Sequence, residues 1–387
     1  MKSLRKYLDK KKPLFQTGGE FAKLGSTFGA IETFLFTPNH TSKSGVHIHD
    51  AIDLKRTMIV VVLAMVPALL FGSWNIGYQN GLAFGVERGL MDNFLFGFIK
   101  ILPIIIVSYG VGLGIEFIAA QIRGHEVNEG YLVTGMLIPL ILPVNIPLWM
   151  VAIAVAFAVI FGKEIFGGTG YNIMNVALLA RAFLFFAYPS QMSGDAVWIY
   201  ELSSKVPVDG FSGATPLAQL AQDATSKMAS FSDMFLGFIP GSIGETSTLA
   251  ILIGAAILIF TGIGSWKIML STVLGALAIG LLCNVLAVND YMALPPYYHL
   301  VIGGFAFGTV FMATDPVTAS HTEKGKWIYG FMIGGLAVLI RVFNPAYPEG
   351  MMLAILLMNI WSPLIDYFVV ESHIKRRLKR AKTKANP

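Results

Sequence analysis

Residues 94–120 read FLFGFIKILPIIIVSYGVGLGIEFIAA. The run carries two charged side chains, Lys100 and Glu116, and is apolar on every face of a helix. A helix needs about 20 predominantly apolar residues to cross a bilayer. A segment with no polar face has nowhere to meet water, so it reads as a membrane span rather than as the amphipathic helix of a soluble domain. Working outward, further apolar segments stand at 57–74, 131–144, 147–161, 173–188, 246–264, 267–288, 299–313, 326–342 and 349–368. With 94–120 they make ten, which predicts an all-α polytopic membrane protein. The third and fourth are short and separated by little more than Asn145-Ile146, and they read as a broken or re-entrant pair.

Composition agrees. The 387 residues are 55% hydrophobic and 13% charged, against roughly 25% charged in soluble domains, and the mean hydropathy is +0.66. Forty glycines and 18 prolines suit closely packed membrane helices. A soluble enzyme, a nucleic-acid-binding domain and a secreted disulfide scaffold are excluded. The single cysteine, Cys283, makes no internal disulfide, zinc site or iron–sulfur cluster, so no metal cluster is expected within the chain.

The distribution of positive charge orients the spans. With the N-terminus in the cytoplasm, the inner segments hold 22 Lys and Arg and the outer ones three, Arg88, Lys205 and Lys227. Ten precede the first span and seven follow the last. The expected organisation is a basic cytoplasmic segment over 1–56 (not a signal peptide), a five-helix half over 57–188 and an outer loop over 189–245. A second five-helix half over 246–368 and a basic cytoplasmic tail over 369–387 complete it. Five spans on each side of one outer loop put the halves in opposite orientation, as inverted repeats require. Each half also has a Gly/Asn/Pro-rich interruption before its last span, at 167–172 and 343–348.

The outer loop contains Asp209-Gly210-Phe211-Ser212-Gly213-Ala214-Thr215-Pro216. Small residues leave the Thr215 hydroxyl open to a modifying enzyme, with Asp209 as a nearby acid; the bland alternative is an ordinary turn before a short helix.

The Asp-Gly-x-Ser-Gly-Ala-Thr pattern resembles the motif on which a flavin transferase attaches FMN to threonine through a phosphoester. Nearly the whole chain resembles the B subunits of sodium-pumping NADH:quinone oxidoreductases (Nqr). The resemblance rests on runs such as Gly124-His125-Glu126-Val127-Asn128-Glu129-Gly130, Lys163-Glu164-Ile165-Phe166-Gly167-Gly168-Thr169-Gly170 and Phe311-Met312-Ala313-Thr314-Asp315-Pro316. Asn344-Pro345-Ala346-Tyr347-Pro348-Glu349-Gly350 is another. It implies covalent FMN on Thr215 with Asp209, Ser212, Gly213 and Ala214 around it, a noncovalent riboflavin within the membrane, and quinone reduction near the cytoplasmic side. It also implies Na⁺ export, assembly with the A, C, D, E and F subunits of such a complex, and residence in a bacterial inner membrane. NADH is expected on another subunit, because no glycine-rich dinucleotide fingerprint occurs here. The related Rnf complex has a D subunit with the same flavinylation motif but usually without so long a basic N-terminal extension. A urea-type solute channel would share the ten-span inverted repeat but needs no such motif.

Other candidates follow from polar residues at membrane depth, which are expensive and therefore functional hypotheses. By resemblance, the riboflavin segment is 170–176. Asn172 and Asn175 are three apart and would share one face of a helix, available to a flavin edge or to helix–helix hydrogen bonds. Relatives often have a basic residue in place of Tyr171 and proline in place of Val176. Glu116 and Gly112 mark a possible quinone region; an acid paired with a neighbouring arginine is the plainer alternative. Asp315 and Asp366, at inner ends of spans near Pro316 and Pro363, are oxygen ligands suited to a Na⁺ path, or in the case of Asp315 a cap. Arg181 is expected to neutralise an acid or a flavin phosphate, and Arg341 to snorkel outward. The His47-Ile48-His49 pair shows no further metal ligands.

Overall fold

The computed structural model describes residues 2–15, 18–21, 25, 27–29, 32, 36, 44–46, 54–124, 130–203, 205–208, 211–222, 228–289, 291–344 and 349–385. Asp209, the His47–His49 pair, the 125–129 run and the 345–348 interruption lie outside these residues. Among the described residues every regular element is helical.

After the basic helix α1 (Lys2–Phe15), the first half contains α2 (Leu54–Phe84), α3 (Leu90–Arg123), α4 (Tyr131–Leu140), α5 (Leu148–Val159) with a π-helical turn over Ile160–Glu164, and α6 (Val176–Ala187). Between the halves, the described residues form three short helices, α7 (Pro189–Met192), α8 (Pro216–Ala221) and α9 (Phe231–Leu236). The second half contains α10 (Thr248–Phe260), α11 (Trp266–Leu286), the fragments α12 (Tyr298–Val301) and α13 (Phe305–Phe307) with a π turn over Gly308–Met312, then α14 (Glu323–Phe343) and α15 (Met351–Ala385). Five of these, α2, α3, α11, α14 and α15, are long and apolar enough to cross a membrane; α4, α6 and α10 are shorter apolar helices.

Small residues let these helices approach closely, the usual device where lipid offers no hydrophobic drive. Gly330 and Gly334 on α14 lie against Ser271 and Thr272 of α11, and Gly275 of α11 lies against the Phe331 backbone. Gly254 brings α10 onto Ala64 of α2. The two halves meet where α2 packs on α10 and α6 on α15.

Two segments depart from regular helix at depth, and in both the freed backbone is buried in protein, as a low-dielectric interior demands. Between α4 and α5, the carbonyls of Leu140 and Leu142 accept from Gly244 at 2.7 Å and Ile243 at 3.3 Å. Between α12 and α13, the carbonyls of His299 and Ile302 accept from the Arg341 guanidinium at 2.8 and 3.0 Å. Arg341 therefore does not snorkel: its side chain is fully buried, because three carbonyls, including that of Glu349, replace water around the charge.

Two further expectations change. The first span runs ten residues past Trp74, to Phe84. The polar residues that end the apolar run are glue rather than a stop: Asn75 donates to the Ile239 carbonyl at 2.9 Å and Asn80 to the Tyr200 carbonyl at 2.8 Å. The described part of 189–245, expected as a loop, is a packed cap, with Met192, Ile199, Leu220 and Met234 buried.

Candidate functional site

The short helix α6 organises the site, because a cavity lies at each end of it. Asn175, its N-cap, lines one cavity and Phe185, near its C-terminus, lines the other. Ten residues of helix separate these positions by about 15 Å.

Beside the C-terminal end of α6, Thr215 is the N-cap of α8. It is half-buried, and its Oγ1 accepts from the Ala218 N–H at 3.2 Å. Pro216 suits the first helical position, where no N–H is needed. Ser212 is exposed, and its hydroxyl accepts from the Ala214 N–H at 3.3 Å. Gly213 is buried, and a Cβ there would collide with the Asp195 carbonyl and the Leu202 side chain, so the turn admits only glycine. The cavity beside Thr215 has Phe185, Met192 and Trp198 as apolar and aromatic wall and Ser242, Thr246 and Glu245 as polar wall. The Thr246 hydroxyl is buried and has no hydrogen-bond partner among the described residues, which leaves one polar atom available to a ligand with hydrogen-bonding edges.

Arg181, in the middle of α6, donates to Glu245 at 2.6 Å and to Glu349 at 2.5 Å, and to the Ser242 hydroxyl at 3.3 Å. It is therefore a counter-charge to two acids. The fork geometry of guanidinium allows one cation to bridge several acceptors. Both acids also line the Thr215 cavity, so the bridge ties α6, the 239–247 loop and the start of α15 into one floor beneath it.

At the N-terminal end of α6, the Asn172–Asn175 stretch is not helical. Gly167, Gly168 and Gly170 all have positive φ, which unwinds the chain before α6 begins at Val176. The two asparagines therefore share no helix face, yet both line one cavity with Thr134, Lys163, Thr169 and Asp315. Asn172 Nδ2 donates to the Met174 carbonyl at 3.3 Å. Asn175 Oδ1 caps α6 through the Leu178 N–H, and Nδ2 reaches Asp315 at 3.4 Å, leaving one amide hydrogen for a ligand.

Asp315 is held by the Val317 N–H at 3.0 Å and the Thr318 hydroxyl at 3.1 Å. Asp366 accepts from Ser320, Thr322 and the backbone of His321. The two carboxylates thus clamp neighbouring turns of one loop, through different partners. Among the described residues, no group of three or more His, Cys, Asp or Glu side chains comes together as a metal site.

Glu116 is buried and paired with Lys163 of the first π turn, not with an arginine. Arg123 goes instead to Glu164, at 3.2 Å. Gly112, one turn earlier on the same buried stripe of α3, leaves room for the ring of Tyr131, whose hydroxyl donates to the Ser108 carbonyl at 2.9 Å. That face of Gly112 is filled by protein.

Sequence reasoning missed Lys163, Glu245, Thr246 and Glu349. Lys163 is legible as a charge in an apolar run, but its position groups it with the inner loops. The others sit at span ends, where polar residues are ordinary.

A family model described as the NQR2, RnfD, RnfE family matches residues 41–375. A protein of Ectopseudomonas mendocina, named as the B subunit of a Na(+)-translocating NADH-quinone reductase, is 48% identical, covering 97% of this chain and 99% of that one. A protein of the same name from Chromohalobacter salexigens is 49% identical over 97% and 96% of the two chains. One from Azotobacter vinelandii is 48% identical over 97% and 99%. The chain therefore belongs to the NQR2, RnfD, RnfE family, and within it to the B subunits of Na(+)-translocating NADH-quinone reductases.

Proposed function

We propose that this chain is the membrane component that carries electrons between two flavins in an NADH-quinone reductase and couples their passage to Na⁺ export. The observation that carries the reading is the pair of cavities at opposite ends of α6, one beside the Thr215 hydroxyl and one lined by Asn172 and Asn175. The relatives share one name, that of the B subunits of Na(+)-translocating NADH-quinone reductases, and it supports the overall activity.

The residues fit the groups assigned to them. Thr215 would hold FMN through a phosphoester at its Oγ1, against Phe185 and Trp198, with the unpartnered Thr246 hydroxyl beside it. Asn172, the remaining amide hydrogen of Asn175, and Thr134 and Thr169 would hold a riboflavin at the inner end. When bound, the flavins supply the redox chemistry, and the protein supplies position, dielectric and hydrogen bonds. The buried Arg181 bridge fixes the floor of the outer cavity, and Asn175 fixes the wall of the inner one.

The same reading puts ten spans in two inverted halves, both termini in the cytoplasm, and the 189–245 cap on the periplasmic side of a bacterial inner membrane, where a flavin transferase reaches Thr215. Quinone reduction near the cytoplasmic side is assigned to the surroundings of Glu116, with Gly112 as the packing position that seats Tyr131, and the Na⁺ path to the Asp315–Asp366 loop. The A, C, D, E and F subunits of the complex are the expected partners. The deciding experiment is fluorescence of the denatured chain in a gel, because a phosphoester survives denaturation. A fluorescent band that Thr215→Ala abolishes is expected; a dark wild-type band, or one unaffected by Thr215→Ala, overturns the FMN assignment.

A further inference from the structure

Where α15 leaves the membrane it forms a pocket against the start of α14, walled by His321, Lys324, Val370, His373, Ile374 and Arg377. Aromatic side chains mark its level. Trp266, at the start of α11, and Trp327, in the second turn of α14, meet edge to face at 5.9 Å, and Tyr367 of α15 is exposed. Trp and Tyr gather at the membrane–water boundary. Lys324 is one turn from Trp327, and His373 stands about 9 Å along α15 from Tyr367 at the helical rise. The basic side chains therefore lie at the level of lipid phosphates, with Val370 and Ile374, 48% and 50% exposed, facing the apolar side.

The charge in this pocket is uncompensated. Its one acid, Glu323, is taken by Lys267 and Lys326, and Asp366 below is filled by hydroxyl and backbone donors. The side chains of His321, Lys324, His373 and Arg377 have no ion-pair or hydrogen-bond partner among the described residues. Four basic side chains over three apolar ones, Val369, Val370 and Ile374, match a phosphate ester carrying an acyl chain, and basic pockets between membrane helices on this side are the kind that take anionic headgroups.

We propose that this pocket binds an anionic phospholipid, with its phosphate held by Lys324 and Arg377 beside the two histidines and an acyl chain over Val370 and Ile374. The orientation under Proposed function decides only that the cytoplasmic leaflet supplies it. Protease access to the tail in sealed vesicles tests that orientation separately.

The test is native mass spectrometry of the full chain in detergent, titrated with phosphatidylglycerol or phosphatidylcholine. Phosphatidylglycerol should occupy one site at about tenfold lower concentration than phosphatidylcholine, and Lys324→Ala/Arg377→Ala should remove that preference. Lys324→Arg should retain it, which separates lost charge from lost fold. Equal adducts for both lipids, or a double variant that behaves as wild type, overturns the proposal. Complete displacement by millimolar inorganic phosphate would instead assign a soluble anion, and occlusion of the site in the assembled complex would assign a protein interface; either result overturns it too.

Discussion

Lys163 and Glu116 lie 47 residues apart in the chain and form an ion pair with both side chains no more than 5% exposed. The pair joins the first π turn to α3, and Lys163 also lines the cavity of Asn172 and Asn175. A buried pair is weak evidence of stabilisation, because desolvation offsets the attraction, but removal of one partner strands a charge. It is a structural tie between α3 and the wall of the cavity that Asn172 and Asn175 line.

Lys163→Met is expected to destabilise the chain by about 3–5 kcal/mol, the usual cost of an uncompensated buried charge. Lys163→Met/Glu116→Gln should recover most of that loss. Denaturant unfolding in detergent checks it; a double variant as unstable as the sum of the singles would mean that the two side chains do not share one interaction.

Arg181→Lys should also destabilise, by about 2 kcal/mol or more, since an ammonium does not reproduce the fork that spans Glu245, Glu349 and Ser242. The additional change Glu349→Gln should restore part of it by removing one stranded acid. Because the bridge forms the floor beneath Thr215, flavin fluorescence of the denatured band should fall in the single variant and rise again in the double one.

Gly213→Val should reduce flavin attachment at least several-fold while Thr215 itself is intact, because a side chain at 213 meets the Asp195 carbonyl and Leu202 and displaces the turn. Gel fluorescence per mole of folded protein measures this. Attachment at the wild-type level would show that the transferase does not read this turn geometry.

Glycines separate into two classes. At Gly334 a Cβ would meet the Thr272 backbone, whereas at Gly114 nothing lies within 4 Å. Gly334→Ala should cost about 1–3 kcal/mol by overpacking α11 against α14. Gly114→Ala should add about 0.5–1 kcal/mol through helix propensity. Thermal unfolding of the two variants in one detergent should move in opposite directions.

The long spans are legible because apolar runs at 94–120 or 326–342 leave a helix no polar face. The limits of the first are not, because Asn75 and Asn80 look like an end until their partners in the outer cap are known. The helix expected over 173–175 fails because backbone freedom at Gly167, Gly168 and Gly170 outweighs the apolar run that follows. The Thr215 turn is readable as a motif, since its small residues are contiguous and their chemistry is local.

What the sequence determined alone was the membrane class and the asymmetry of basic charge, both set by solvent preference, and the small-residue turn before Thr215, set by neighbouring residues. What only the tertiary structure decided was which charge meets which. Lys163 meets Glu116, Arg181 meets Glu245 and Glu349, and Arg341 meets three carbonyls. Buried charges must find partners in a medium without water, and helix packing, rather than position in the chain, brings those partners within reach.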